Sequence, residues 1–268
     1  MRPKTRTPLT RVATYRRRVA ASAERVWENV RDWEHLPWLH RGSFSDIECL
    51  ESGEKGWRAR VGLHPPAARR EILLELAIDA DAGRYVSRVV EGEGAGSEIW
   101  TSVGPRDDSH TEIRVEFWLP AVDPAGADAL GAAYTRLYAR LWDEDEDMMV
   151  RRAAELAPRT GATGRGERSL DLGPLDALRA RLPLRVDLAG RGFRLVEVEG
   201  RLLAHSVRCP HLLGPLEDTP VEHGVVTCPW HGYRFDLRSG RSCDGHGLRL
   251  DRAPTVRIDE RSQVTLSL

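Results

Sequence analysis

Long apolar runs are missing from this chain. The longest, Ile72 to Ile78, is interrupted by Glu75. A bilayer-spanning helix needs about 20 apolar residues, so no membrane segment is expected. Cysteine is scarce, with four in 268 residues, and no export signal is read at the start. Both point away from a disulfide scaffold and toward a reducing cytoplasm. Charge bias is missing as well. Lys and Arg number 40 against 41 Asp and Glu, a net charge of -1 that removes any bulk electrostatic case for nucleic acid. The stretch Arg2 to Arg18 is locally basic and reads as a solvated arm leading into a first strand. No internal repeat is visible, and the C-x2-C pair usual in zinc sites is absent.

What the chain does have is concentrated near its end. Cys209-Pro210-His211 and Cys228-Pro229-Trp230-His231 form two boxes with sixteen residues between them. One thiolate and one imidazole per box is the donor set of a Rieske [2Fe–2S] centre, where two cysteines hold one iron and two histidines the other. A zinc site takes the same donors, and a Cys209–Cys228 disulfide is the plainest alternative. Gly214 and Gly232 are expected to permit tight turns and let amide N–H groups approach sulfur, and Pro210 and Pro229 to stiffen the loops. Cys49 and Cys243 read as ordinary buried or half-buried thiols, with Cys243 near enough in sequence to flank the cluster.

Through these boxes, Leu170 to Leu268 resembles the Rieske family. Tyr233 follows Gly232 where high-potential respiratory members have serine, Phe235 stands in place of a tyrosine, and His211-Leu212-Leu213-Gly214 lacks their extra cysteine. The resemblance therefore implies the lower-potential oxygenase and ferredoxin branch.

Pro158 to Ser169 is rich in Gly, Thr and Arg and reads as a linker. It divides the chain into 1–157, a linker at 158–169, and 170–268. The last part shows short strands at Leu184 to Leu188, Phe193 to Val198, Leu202 to Val207, Val225 to Thr227 and Tyr233 to Leu237, a small antiparallel β domain. The first part reads as a strand (Val12 to Val19), a helix (Ala23 to Val30, capped by Ser22), six strands between Ser45 and Leu119, and a long helix from Ala125 to Leu156. That order, with Ala23-Glu24-Arg25-Val26-Trp27, Asp32 and Pro37-Trp38, resembles the START-like (polyketide-cyclase-like) helix-grip superfamily. The implied fold class is α+β: a START-like helix-grip domain with an apolar cavity, then a small all-β Rieske domain. Trp57, Trp100 and Trp118 are candidate cavity residues, each also at home in a plain core.

Asp32, His35 and His40 make a D-x2-H-x4-H pattern that resembles the motif of Rieske non-haem iron oxygenases, with the domain order reversed. The resemblance implies a mononuclear Fe(II) held by His35, His40 and a carboxylate of the long helix. It further implies that Asp32 serves as electron bridge to a cluster histidine, here His231. On an unbroken helix His35 and His40 would sit about 140° apart, so a break at Pro37 is expected to bring His40 round. Helix phase selects the acid. With Leu141 at zero, Asp145 lies at about 40° on the apolar face beside Tyr134, Leu137, Met148 and Leu156, while Glu144, Asp147 and Asp143 lie at about −60°, −120° and −160°.

The resemblance then implies an oxygenase that passes electrons from the cluster to Fe(II), with O₂ and a hydrophobic small molecule as substrates. An external reductase or ferredoxin would be its donor and a homotrimer its assembly. Two other classes fit the residues. One is a metal-free carrier of a hydrophobic ligand fused to a Rieske electron-transfer module. The other is a cyclase or dehydratase in which His35 and Asp145 do acid–base work without metal. His64, His110, His205, His223 and His246 match no ligand spacing and read as surface or structural.

Overall fold

The computed structural model describes residues 8–157 and 167–268. The start of the basic arm and most of the expected linker (158–166) lie outside the described residues. The chain divides into two compact units, Met1–Ala153 and Ala154–Leu268.

The first unit is one antiparallel sheet of seven strands: β1 (Leu9–Val19), β2 (Phe44–Gly53), β3 (Gly56–Leu63), β4 (Glu71–Asp79), β5 (Arg84–Gly92), β6 (Glu98–Pro105) and β7 (Thr111–Pro120). Their order is β1-β7-β6-β5-β4-β3-β2, so β2 to β7 form the expected six-strand meander and β1 closes against its last strand. Period-two sequence sets the two faces. In β7, Ile113, Val115, Phe117 and Leu119 are buried, and Arg114, Glu116 and Trp118 take the alternate positions.

Two short helices lie between β1 and β2: α1 (Ala23–Arg31) and α2 (Leu36–Leu39). Ser22 caps α1, its Oγ accepting from the Arg25 N–H at 3.4 Å. The long helix α3 (Ala127–Leu156) follows a 3-10 turn at Pro124–Gly126, so it starts two residues later than the sequence suggests. α3 packs into the sheet through Gly131, Tyr134, Tyr138, Trp142, Asp145 and Met149, a 3.6-residue stripe. A Cβ at Gly131 would lie 2.4 Å from the Val12 carbonyl oxygen, which is why helix and strand can approach so closely there. Leu156 is exposed, not part of that stripe. A sheet gripping one long helix is the helix-grip arrangement, and the chain is α+β.

The second unit contains β8 (Ser169–Pro174), α4 (Leu175–Arg179), β9 (Leu184–Leu188), β10 (Arg191–Val198), β11 (Arg201–Ser206), β12 (Val221–Glu222), β13 (Val225–Thr227), β14 (Arg234–Asp236), β15 (Thr255–Ile258) and β16 (Gln263–Ser267). They make three small sheets among the described residues, β11-β10-β9, β12-β13-β14 and β15-β16-β8. Its core gathers Leu178, Leu188, Phe193, Leu195, Val264 and Leu266. Strands β8, β15 and β16 escape the sequence reading because β8 and β16 are joined only through long-range pairing.

Two candidate metal centres

The loops at 209–214 and 228–233 have the same construction. In the first, the Cys209 N–H donates to Gly214 O (2.9 Å) and the Leu213 N–H to Cys209 O (3.0 Å). In the second, the Cys228 N–H donates to Tyr233 O (2.8 Å) and the Gly232 N–H to Cys228 O (2.9 Å). The residue in the left-handed region is the fifth of each loop, Leu213 at φ 63° and Gly232 at φ 72°. Gly214 is thus not the turn residue expected from sequence. Its need for glycine is steric: a Cβ there would sit 2.8 Å from Cys228 Sγ and 3.1 Å from the Trp230 ring.

Cys209 and Cys228 are fully buried and hydrogen-bonded to each other. That shared bond pushes the Cys209 thiol up and, against burial, holds Cys228 down. Backbone N–H groups of His211 and Leu212 aim at Cys209 sulfur, and those of Trp230 and His231 at Cys228 sulfur. Such amides favour thiolate, the form that binds metal. The His211 and His231 rings lie 4.6 Å apart, centroid to centroid, at 85°. Two thiolates, two imidazoles and a glycine-lined space beside sulfur fit a Rieske [2Fe–2S] cluster. Tyr233 packs 4.6 Å from His211 and 6.1 Å from His231, and His246 stacks on Tyr233 at 4.2 Å. His246 lies thirteen residues beyond Tyr233 and carries no ligand spacing, so sequence reasoning placed it away from the boxes. Cys243 is exposed, contrary to expectation.

In the first unit, α1 ends at Asp32, whose extended backbone (φ −85°, ψ 93°) turns the chain out of the helix. His35 then caps the start of α2 and His40 its end. His40 leaves helical geometry (φ −99°, ψ 42°), and this places its ring. Pro37 occupies the first turn of α2, where proline is tolerated, so the expected break at Pro37 is not the device.

Both imidazoles are buried and face α3. His35 Nε2 lies 3.5 Å and His40 Nε2 3.2 Å from Asp145 Oδ1. One donor atom from each of the three residues falls within 4.8 Å of the others. Two donors bound at right angles, about 2.1 Å from one metal, would lie about 3 Å apart. Two imidazoles and a carboxylate with that spacing fit a facial triad.

The charges agree. Burial raises Asp145, but His40 and then His35 and the Asn29 amide more than offset it, so its carboxyl lies below the usual range. Burial lowers His40, but Asp145 and then Glu144 more than offset it, so its imidazole lies above its usual value. Asn29 Nδ2 donates to Asp145 Oδ1 at 3.0 Å. Arg152, a possible partner for Asp145, instead pairs with Glu28 at 3.0 Å. Asp143 and Glu146 pair with Arg17. Asp32 Oδ2 lies 3.6 Å from His35 Nδ1.

The three donors line a cavity of about 470 Å³. Its wall includes Phe44, Trp57, Leu76, Tyr85, Ile99 and Tyr138. Tyr134 and Asp145, eleven residues apart on α3, both border it, so it runs about 16 Å along the helix. Of the three candidate tryptophans Trp57, Trp100 and Trp118, only Trp57 lines this cavity, alongside Trp142 of α3. Trp100 and Trp118 alternate away from the buried positions of their strands and pack on each other at 6.4 Å.

Residues 169–251 match the family described as Rieske [2Fe-2S] domain. Apoptosis-inducing factor 3 of Mus musculus is 35% identical over 81 residues, 30% of this chain and 13% of that protein. The chain thus spans a small part of that relative's length. Zhui aromatase/cyclase from a Streptomyces species is similar over 54% of this chain and 96% of its own, at 18% identity and a TM-score of 0.45. The ferredoxin of carbazole 1,9a-dioxygenase from Nocardioides aromaticivorans is similar over 38% of this chain and 98% of its own, at 23% identity and a TM-score of 0.33. No helix among the described residues is long and apolar enough to cross a membrane. The paired Cys-His loops and the family match agree on the same stretch of chain, and residues 169–251 are a Rieske [2Fe-2S] domain.

Proposed function

We propose that this chain is a Rieske-type oxygenase, an oxidoreductase that uses O₂ to hydroxylate or oxidise a hydrophobic small molecule, aromatic ones included. One observation carries the reading. His35, His40 and Asp145 converge at the wall of an apolar cavity, in a chain that also has a Rieske domain.

Cys209, His211, Cys228 and His231 would hold the [2Fe–2S] cluster, and His35, His40 and Asp145 a mononuclear Fe(II) with open positions. When bound, these groups supply one-electron transfer and O₂ activation. The chain's own side chains do the rest. Asn29 fixes the Asp145 carboxylate by its 3.0 Å hydrogen bond. Leu76, Ile99, Trp57 and Tyr138 give the cavity a mainly apolar wall, which favours a hydrophobic ligand. Asp32, beside His35 Nδ1, is the proposed link to the electron donor. An external reductase or ferredoxin as donor, a cytoplasmic setting and a homotrimeric assembly belong to the same proposal.

A direct test uses the anaerobically reduced protein mixed with O₂, with cluster reoxidation followed in the visible. Reoxidation is expected to speed up when an apolar aromatic ligand is bound, and product to carry oxygen from ¹⁸O₂. Asp145→Ala is expected to abolish both while leaving the cluster spectrum in place. Reoxidation indifferent to every ligand, with no labelled product, would favour the carrier fused to an electron-transfer module.

A further inference from the structure

We infer that Glu144 is a positioning residue that holds the His40 ring by its Nδ1 edge and so orients Nε2 for metal binding, an inference that rests on the metal site proposed above. Glu144 precedes Asp145 on α3, and the two acids meet opposite edges of one ring. Glu144 Oε2 lies 2.6 Å from His40 Nδ1, and Asp145 Oδ1 lies 3.2 Å from His40 Nε2. With Glu144 as the acceptor, the Nδ1–H donates across that 2.6 Å contact. Nε2, the edge that faces His35 and Asp145, is then the nitrogen left to bind a metal there. The other imidazole has no such close contact on that edge, since His35 Nδ1 stands 3.6 Å from Asp32 Oδ2, beyond hydrogen-bond range.

Geometry explains how neighbouring helix residues can share one ring. Successive positions on a helix differ by about 100°, so Asp145 points into the cavity while Glu144 reaches along its rim. The Glu144 side chain keeps 32% of its exposure, whereas that of His40 keeps 4%. Glu144 therefore reaches the buried ring from the solvent side. It also ties the end of α2 to α3, because His40 is the C-cap of α2. A carboxylate on the far nitrogen orients a metal-bound imidazole and raises its basicity, and losing such a partner typically weakens metal binding about 10–100-fold.

The test is Co(II) binding to the cluster-loaded protein, read by difference absorption and by the paramagnetically shifted, exchangeable N–H resonance of His40. Compared with wild type, Glu144→Ala is expected to bind Co(II) about 10–100-fold more weakly and to lose that N–H signal. Glu144→Gln keeps a carbonyl acceptor and is expected to recover most of the affinity and the signal. His40→Ala sets the floor, and melting of the metal-free proteins checks that the variants fold. A Glu144→Ala protein that binds Co(II) within threefold of wild type overturns the inference, as does a Glu144→Gln protein that fails as fully as Glu144→Ala. Wild type that takes up no Co(II) removes the metal site itself and this inference with it. That outcome is distinct from wild-type binding that survives the loss of Glu144.

Discussion

Gly214 has no room for a side chain. A Cβ would press within 2.8 Å of Cys228 Sγ, a buried and inflexible neighbour. Gly214→Ala is expected to abolish or strongly reduce the Rieske absorption and EPR signals, whereas Leu213→Gly, which relieves a left-handed leucine at φ 63°, is expected to keep them. The opposite ranking of the two variants would contradict the loop reading. His205 offers a pH test in the same unit. Burial holds its imidazole down at about 4, with the Ser206 carbonyl opposing and the Arg194 charge adding to the effect. The folded state keeps His205 neutral, so the unfolded chain takes up the proton first. The contribution to stability is whole above the ordinary value of 6.5 and drains away as pH falls toward 4. A shift of that size is worth about 3 kcal/mol. Urea midpoints at pH 7.5 and 4.5 should fall further for wild type than for His205→Gln, and equal falls would rule this out. At this scale, the sequence made the boxed ligands legible because spacing alone brings them together. His35, His40 and Asp145 were legible through a motif and helix phase. Glu144 and Asn29 were not, because their roles depend on reach between elements. By phase, Glu144 belongs to a solvated face.

The arrangement that lets two histidines five residues apart reach one point is a short helical segment flanked by both. It comes from the extended backbone at Asp32 and the non-helical backbone of His40, with a single turn of helix between them. Pro37 fits that turn but does not create it. Pro37→Ala is therefore expected to leave divalent metal affinity within about threefold of wild type, since a first-turn proline only pre-sets a φ the helix would adopt anyway. Loss of binding on the scale of His40→Ala would restore the proline kink as the device. The strands of the first unit could be read from period-two alternation because each has one face in the core, as Trp57, Ala59 and Val61 of β3 show. Strands β15 and β16 alternate too, but they are only four and five residues long. β15 (Thr-Val-Arg-Ile) also has only half-buried or exposed side chains, so no buried face marks it as a strand. Trp100 and Trp118 show the converse error. A large aromatic suggested the cavity, but their strand parity puts them at the alternate positions, where Arg84 and Arg11 lie over their rings at 5.6 and 5.7 Å.

The two units carry separate candidate donor sets. Four ligands lie within 209–231, and three side chains from α2 and α3 meet at the cavity of the helix-grip unit. On the proposed function, the iron content of the chain is the two of the cluster plus one at the triad, a sum that can be taken apart. The most direct measurement is iron and acid-labile sulfide per chain, on anaerobically prepared wild type and His40→Ala. Three irons and two sulfides are expected for wild type, and two irons with an unchanged Rieske spectrum for His40→Ala. Two irons in both proteins would contradict the second metal centre and leave an electron-transfer domain joined to an apolar pocket.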